Sequence, residues 1–371
     1  MRLKVIITLE KYAQKQGLYI SRYIAIITIT MFAVGCTGID LQDCPDGSVL
    51  GKDVTRIRSS HLRMEIADTT AAAKRVVPYA IISAIAYRDG VQCPAGQGLS
   101  DTDITKLEEM LVTLEPDGQQ WARVKELELT GGCEDDIGLS FHVWQRTLRG
   151  QTDVIMAFRG TSGEGDWLFG NLWGLTRFFL RDNQYKRASE HADRVIAHYE
   201  AKNENVRFLT TGHSLGGGLA QHVLYSHPTK VLQAIVFAPS SVTGFTDVNE
   251  NIRLEACACK NELGSEARIL RIYESYEILS DLRIFHKLFF PPQRNIQEVR
   301  FAFSESVNQI TQHSMIKLAT LLYEAAQKKQ SSDSVTPWFA SQDRQCTARF
   351  IELQSNSCKL SSSSGLGACP Q

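Results

Sequence analysis

The chain has 371 residues, 43% of them hydrophobic, and a formal net charge of −1 at pH 7. This length can bury a full core, and it favours one large α/β domain with additions over two equal domains. A charge near zero without a basic stripe gives no electrostatic footprint for nucleic acid, so nucleic acid is set aside as a partner.

The first 35 residues differ in kind from the rest of the chain. Five basic residues precede an apolar run at 24–34, and the run leads into Ala33-Val34-Gly35-Cys36. This order is typical of an export signal and not of a stable transmembrane helix. The segment resembles a bacterial lipoprotein signal, which implies a lipid-modified Cys36 and a membrane-anchored location in the bacterial cell envelope, on the outer membrane or facing the periplasm. An ordinary secretory peptide or a single anchor helix is the alternative.

Eight cysteines remain after Cys36, and an even number in an exported chain favours disulfides. The eight are Cys44, Cys93, Cys133, Cys257, Cys259, Cys346, Cys358 and Cys369. Cys257-Ala258-Cys259 has no second close pair at ligand spacing, so no metal site is predicted.

Residues 36–70 are mostly polar and are predicted to be a tether. Residues 71–87 are apolar at helical spacing with Pro78 among them, which predicts two short helices or one kinked helix. Gly150-Gln151 separates two β-rich runs, Leu139–Arg146 and Asp153–Phe158, and this arrangement predicts a hairpin.

The second half of the chain alternates between helical and β-rich patterns. Asn183–Lys202 is amphipathic at helical spacing, and the apolar runs Leu232–Ala238, Ile269–Tyr273 and Glu298–Phe303 predict strands. This alternation indicates an α/β fold with a mostly parallel central sheet covered by helices. Residues 328–371 are Ser-rich but retain three cysteines, and they predict a disulfide-containing C-terminal appendage.

The pentapeptide Gly212-His213-Ser214-Leu215-Gly216 lies between a β-rich run, Val206–Thr211, and a helical segment, Gly217–Ser226. Strand, sharp turn and helix are the context of a nucleophile elbow. Glycines two residues to either side remove Cβ atoms that would clash in such a turn. The pattern therefore predicts Ser214 as a nucleophile.

A serine hydroxyl needs a base and an orienting carboxylate to act as a nucleophile at neutral pH. His313 follows the last predicted strand and precedes a helical segment at 316–326, which is the place of the base in this chain order. The carboxylate is expected just past the strand that ends at Tyr273. Glu277 is the first candidate because two apolar residues follow it, and Asp281 and Glu274 are the alternatives.

The oxyanion of the tetrahedral intermediate needs two preorganised donors. The backbone N–H that follows the nucleophile, on Leu215, is one candidate. Thr161 is the other, because it follows Gly160 at the end of the strand that finishes at Phe158.

Phe158-Arg159-Gly160-Thr161, followed about fifty residues later by Gly212-His213-Ser214-Leu215-Gly216-Gly217, resembles the class 3 lipase family of α/β-hydrolases. The resemblance covers residues 71–326, and it implies an α/β-hydrolase catalytic domain at 71–327. It implies the same roles for Ser214, His313, Thr161 and Leu215. The chain departs from the family at the acid, since Glu277-Ile278-Leu279 stands where an Asp-x-Val-Pro-like segment is usual.

The segment between Thr161 and Asn183 is rich in aromatic residues and begins with glycines. In the class 3 lipases this region is a lid, which implies a cover for an acyl pocket that opens at a lipid surface. The alternative is that these aromatic residues belong to an ordinary core.

These observations predict a serine hydrolase that cleaves carboxylic esters of acyl lipids, in the manner of a triacylglycerol lipase. A phospholipase, a small-ester esterase or a non-catalytic binding module on the same fold are the alternatives. The reaction requires no metal or organic cofactor. The expected partners are a lipid or ester substrate and a membrane, reached through the lipid at Cys36 and through the lid.

Overall fold

A computed structural model describes the chain in segments. They are residues 54–59, 65–87, 99–114, 120–127, 139–160, 178–202, 205–240, 243–263, 267–274, 295–303 and 314–328. All belong to one compact unit, Lys52–Gln371. The predicted signal segment with Cys36 and the predicted C-terminal appendage beyond residue 328 lie outside these residues. Among the helices in the described segments, none combines the length and the apolar character that crossing a bilayer requires.

The described residues form a nine-stranded sheet with the spatial order β2-β1-β9-β8-β7-β6-β5-β4-β3. The strands are β1 Val54–Ser59, β2 Glu65–Ala67, β3 Ala122–Arg123, β4 Phe141–Leu148, β5 Gln151–Phe158, β6 Val206–His213, β7 Val231–Phe237, β8 Ile269–Glu274 and β9 Ile296–Ala302. Strands β5 to β9 are parallel neighbours, and the strands beyond them pair antiparallel. The sheet is therefore mixed, with a parallel centre as the sequence predicts.

A tight turn joins β4 to β5. Arg149 and Gly150 both have positive φ, at 52° and 79°. Two-residue hairpin turns use this conformation because it matches the twist of the flanking strands. The register pairs Leu148 with Gln151 and Phe141 with Phe158, so the predicted hairpin is confirmed.

Six helices accompany the strands within the described segments. They are α1 Thr69–Ile85, α2 Asp101–Leu114, α3 Phe178–Glu200, α4 Leu215–Ser226, α5 Glu250–Leu263 and α6 Met315–Gln327. Short 3₁₀ turns occur at Lys125–Leu127 and Phe245–Asp247. Helices α1, α2 and α6 share one hydrophobic core with the sheet, and α3 and α4 share another.

The side chains of β6 show how the sheet separates these two cores. Leu209 belongs to the core with α1 and α6, whereas Phe208 belongs to the core with α3 and α4. Successive residues of a strand point to opposite faces, so neighbours on β6 serve different layers. Both faces of the central strands are thereby covered, which explains why these strands read as continuous apolar runs.

Helix α1 is one continuous helix with Pro78 inside it. Its N-cap is Asp68, whose carboxylate accepts a hydrogen bond from the Ala71 N–H at 2.7 Å. Proline removes one helical hydrogen bond, but most residues of α1 are buried against the sheet and α6. The alternative of two short helices is therefore wrong, since tertiary packing holds the helix together across Pro78.

Part of the predicted tether is sheet. Residues 54–59 pair with β9 along their whole length, and residues 65–67 add the outermost strand. Thr55 and Ile57 are buried, although the surrounding stretch is polar. Strands near the edge of a sheet carry polar residues on their exposed positions, and this weakens the apolar signal by which strands are recognised.

Asp153 on β5 is the centre of a buried ion-pair network. Its carboxylate accepts from Arg207 Nε at 2.7 Å and from Arg146 Nη2 at 3.2 Å. The Asp153 side chain is 2% exposed, and the Arg146 guanidinium also lies over the Trp121 ring. The network joins β4, β5 and β6 towards the amino end of β5 and β6, away from Ser214.

Candidate active site

Ser214 occupies a strained turn between β6 and α4. Strand β6 ends at His213, helix α4 begins at Leu215, and Ser214 has φ 56° and ψ −122°. A non-glycine residue in this region is unfavourable by about 1–3 kcal/mol, and such strain persists only where the surroundings impose it. The backbone is therefore that of a nucleophile elbow, as the sequence predicts.

Hydrogen bonds on both sides of Ser214 impose this conformation. Its N–H donates to the Phe237 carbonyl at 3.0 Å, and its carbonyl accepts from Ser240 N at 2.8 Å and Gly217 N at 3.1 Å. The Ser214 side chain makes no capping bond to α4. The residue is half-buried, so the main chain is fixed while the hydroxyl is not used in capping.

The glycines of the elbow allow a close approach of backbones. A Cβ atom on Gly212 would lie 2.5 Å from the Gly216 carbonyl, and one on Gly216 would lie 2.7 Å from the Arg159 carbonyl carbon. A Cβ on Gly217 would lie 2.7 Å from Pro239 Cβ. Real Cβ contacts are longer than these, so each position requires glycine for steric reasons.

The end of β5 lies directly beside the elbow. Phe158 pairs with Gly212 in the parallel register of β5 and β6. Two residues later, a Cβ on Gly160 would lie 2.6 Å from the His213 carbonyl oxygen and 3.3 Å from Ser214 Cβ. The strand that is predicted to lead to the oxyanion donor Thr161 thus reaches the nucleophile at Gly160, and Thr161 itself lies outside the described residues.

Leu215 is the first residue of α4, so its N–H has no carbonyl partner within the helix. The N-terminus of a helix also carries a partial positive charge. A developing negative charge beside Ser214 would be stabilised at this position. The geometry is compatible with the predicted role of Leu215 as an oxyanion donor.

A buried hydrogen-bonded chain supports the first turn of α4 from behind. Arg271 on β8 donates through Nε and Nη2 to Gln221 Oε1, at 2.9 and 2.8 Å. Gln221 Nε2 donates in turn to the Gly217 carbonyl at 2.9 Å. Gln221 is fully buried, so the chain fixes the helix whose N-terminus faces the nucleophile.

Three histidines near the elbow are engaged elsewhere. His213 Nδ1 lies 2.7 Å from Tyr87 Oη, and His227 Nε2 lies 2.9 Å from Asp193 Oδ1. His222 Nδ1 lies 3.2 and 3.1 Å from the carbonyls of Thr243 and Gly244, and burial lowers the pKa of His222 to about 4. Each of these contacts is with a partner other than Ser214.

The remaining predicted site residues lie outside the described residues. They are Thr161, Glu277, Asp281 and His313, together with the lid segment as far as residue 177. Helix α3 begins at Phe178, so the C-terminal end of that segment has a helical backbone. Of the three acid candidates only Glu274 is described, and it is the buried last residue of β8.

Cys257 and Cys259 of α5 are fully buried and disulfide-bonded. The other six of the eight cysteines lie outside the described residues. Within the described part of the chain, no group of three or more His, Cys, Asp or Glu side chains is arranged to hold a metal ion.

Residues 78–234 match the family model described as "Phospholipase-like: Tle-like phospholipase domain". The match supports a lipase or phospholipase type of family. A phospholipase-like domain indicates hydrolysis of lipid esters, and the mixed sheet with helices is an α/β fold compatible with a hydrolase. No curated protein matches the chain.

The phospholipase-like match runs from the middle of α1 into β7. It includes Gly160, Ser214 and Leu215, and it ends before the segments that carry Glu277, Asp281 and His313. It also includes Tyr87 and Gln221, two contacts of the elbow that the sequence analysis did not find. Tyr79 and Ser83 of α1 and Tyr87, two residues past its end, recur every four residues. This spacing is the sequence signal that they share one face.

Proposed function

We propose that this protein is a serine hydrolase that cleaves carboxylic esters of acyl lipids through an acyl-enzyme on Ser214. The observation that carries the proposal is the strained Ser214, held by hydrogen bonds at φ 56° with Gly160 packed against it. The phospholipase-like match over the same residues supports the lipid-ester class.

In the proposed reaction Ser214 Oγ attacks the ester carbonyl carbon while His313 accepts the hydroxyl proton. The N–H groups of Leu215 and Thr161 hold the oxyanion. His313 then gives the proton to the leaving alcohol as the C–O bond breaks. Water, deprotonated by His313, then attacks the acyl carbon. His313 returns this proton to Ser214 Oγ as the Oγ–acyl bond breaks, which releases the carboxylic acid and restores Ser214.

Two classes of acyl lipid are proposed as substrates. Glycerophospholipids follow from the description of the matched family, and triacylglycerols follow from the resemblance to class 3 lipases. A panel of a phosphatidylcholine vesicle, a triacylglycerol emulsion and a short-chain p-nitrophenyl ester separates them. Turnover of the short ester alone would assign a small-ester esterase and contradict the lipid class.

A binding module on the same fold is the competing class of function. Such a module has no physical need for a strained serine or for three glycines that bring backbones together. A fluorophosphonate probe discriminates between the two, because it reacts with activated serines. We expect labelling of the native protein and none of Ser214→Ala, and an unlabelled native protein would support the binding module.

Glu277 is proposed as the carboxylate that orients His313, with Asp281 as the alternative. The variants Glu277→Gln and Asp281→Asn each remove one charge and keep the side-chain shape. We expect Glu277→Gln to lower kcat by about 10³- to 10⁴-fold, as loss of the triad acid does elsewhere. The reverse ranking would assign the role to Asp281.

We also propose that the protein is exported and anchored in the bacterial envelope by lipid on Cys36, and that the segment between Thr161 and Asn183 acts as a lid. Mass spectrometry of the mature N-terminus tests the anchor. A lipid-modified Cys36 is expected, and an unmodified Cys36 or another N-terminus contradicts it. For the lid, we expect the rate to rise sharply when a soluble ester aggregates into micelles.

A further inference from the structure

Helix α1 and the turn that follows it run alongside β6, and two side chains four residues apart contact the strand. Ser83 Oγ lies 2.8 Å from Thr211 Oγ1, and Tyr87 Oη lies 2.7 Å from His213 Nδ1. Four helical residues advance about 6 Å and two strand residues about 6.6 Å, so the two repeats stay in step. The Tyr87–His213 contact is the one next to the elbow, because His213 directly precedes Ser214.

Tyr87 also contacts the end of β5. A Cβ on Gly160 would collide with Tyr87 Oη, so the hydroxyl lies directly over the Gly160 Cα. The pKa of the Tyr87 phenol is raised, with burial as the largest cause, while the Arg159 charge and a backbone hydrogen bond with Gly160 act in the opposite direction. One hydroxyl therefore contacts both the residue before the nucleophile and the residue before Thr161.

The two contacts of the Tyr87 hydroxyl bear on which partner accepts its proton. Burial raises the pKa of Tyr87 above its usual range, so the phenol remains protonated. A backbone N–H can only donate, so the arrangement that uses the Tyr87 proton is donation to His213 Nδ1, 2.7 Å away. With Nδ1 as the acceptor, the His213 ring would carry its proton on Nε2. The ring stands edge-on to the Tyr87 ring, with 5.8 Å between the ring centroids.

We propose that Tyr87 is a positioning residue, whose hydroxyl clamps His213 to Gly160 and thereby sets the distance between Ser214 and the backbone that follows β5. Ser214 and Gly160 follow the ends of two neighbouring strands, β6 and β5, whose ladder ends at the Phe158–Gly212 pair. Beyond that pair the clamp connects the two backbones. The inference rests on the proposed function, because it concerns the same nucleophile.

Kinetics of Tyr87→Phe test the clamp, and Tyr79→Phe is the matched control. Both variants remove one tyrosine hydroxyl, but Tyr79 lies eight residues earlier, inside α1 and beside Trp121. We expect Tyr87→Phe to lower kcat on a short-chain ester about 10-fold with little change in KM, because small displacements at a reacting centre are costly. Tyr79→Phe should match the native kcat. Equal kcat values for all three proteins would overturn the proposal.

Substitutions of His213 show whether Tyr87 acts through this ring. His213→Asn keeps an acceptor near the position of Nδ1, whereas His213→Leu removes it. We expect His213→Asn to retain more activity than His213→Leu, and we expect Tyr87→Phe to add little to His213→Leu. Fully multiplicative losses in the double variant would contradict a clamp through His213.

The hydrogen bond itself is read without turnover by ¹⁵N NMR of histidine-labelled protein, with His213 assigned from the spectrum of His213→Asn. A proton on Nε2 and an accepting Nδ1 are expected, and a proton on Nδ1 overturns the clamp. This measurement also separates the two proposals. A native protein that hydrolyses no ester contradicts the proposed function, while the spectrum still decides the Tyr87–His213 bond.

Discussion

Gly160 and Ser214 lie so close together that a Cβ on Gly160 would be 3.3 Å from Ser214 Cβ. They are 54 residues apart in sequence, and the parallel pairing of β5 with β6 brings them together. The same Cβ would be 2.6 Å from the His213 carbonyl oxygen. This atom belongs to the main chain, so it cannot move aside as the end of a flexible side chain could. The site therefore requires glycine at 160.

Gly160→Ala is expected to lower kcat/KM by about 100-fold, because the added methyl group pushes the elbow away from the expected oxyanion donors. Steady-state hydrolysis of a short-chain ester measures the loss. Gly150→Asn is the matched control, since Gly150 has open space around its Cβ position and Asn tolerates its φ of 79°. Full activity of Gly160→Ala would show that Gly160 is remote from the reacting atoms.

The elbow and the hairpin are predictable from sequence because neighbouring residues determine both. The elbow has glycines at fixed offsets around Ser214, and the hairpin has Gly150 between two β-rich runs, so short-range sterics decide both. The Tyr87–His213 contact joins residues 126 apart, and only the packing of α1 along β6 creates it. Sequence spacing places Tyr87 on a helix face but does not identify the strand it meets.

Other differences between the predicted and the observed elements also have physical reasons. No helix is predicted at α2, although Ile104, Leu107 and Leu111 are buried at helical spacing and the pattern is present in the sequence. Strand β1 falls in the predicted tether because its neighbours are polar, and its pairing with β9 across more than 230 residues is not a local property. Pro78 favoured a break that the buried face of α1 overrides.

Asp153→Asn should lower the free energy of unfolding by about 2–3 kcal/mol, because a buried charge network loses its centre. The partners Arg146 and Arg207 are 17% and 28% exposed, which keeps the loss below that of a fully buried pair. Urea unfolding at pH 7 measures it. Turnover by the folded fraction should be unchanged, since Asp153 lies near the amino end of β5.

Glu190→Gln is the control for Asp153. Its carboxylate is 47% exposed and pairs with Lys186 at 3.9 Å, and exposed pairs contribute little. An Asp153→Asn protein as stable as Glu190→Gln would contradict a structural role for the network.

Gln221→Leu should lower both stability and kcat. The substitution removes the bond to the Gly217 carbonyl and the acceptor of Arg271, and broken buried hydrogen bonds cost about 1–3 kcal/mol. Helix α4 then loses part of the support behind its first turn. Urea unfolding and ester turnover measure the two effects. Native values in both would contradict a role for the Arg271–Gln221–Gly217 hydrogen bonds in supporting the site.

His222 should make the protein less stable as the pH falls. Burial holds the pKa of the folded His222 at about 4, below its ordinary 6.5, so the unfolded chain binds the proton more readily. The stabilising contribution is present above pH 6.5 and is lost as the pH falls through 4, by roughly 2 kcal/mol between pH 7 and 4.5.

His222→Asn separates this effect from other acid-sensitive groups. The Asn amide can donate to the carbonyls of Thr243 and Gly244 but does not titrate. Urea unfolding at pH 7, 5.5 and 4.5 should show a shallower loss of stability for the variant than for the native protein. Parallel losses in the two proteins would place the pH dependence elsewhere.

Turnover by Ser214→Ala on phosphatidylcholine vesicles and on a short-chain p-nitrophenyl ester tests the central claim most directly. Alanine removes only the Oγ atom, and the backbone bonds to Phe237 and Ser240 can remain, so the variant should fold. We predict that native turnover on at least one of these esters falls by a factor of at least about 10⁴. A folded Ser214→Ala protein that retains native turnover would contradict the acyl-enzyme mechanism.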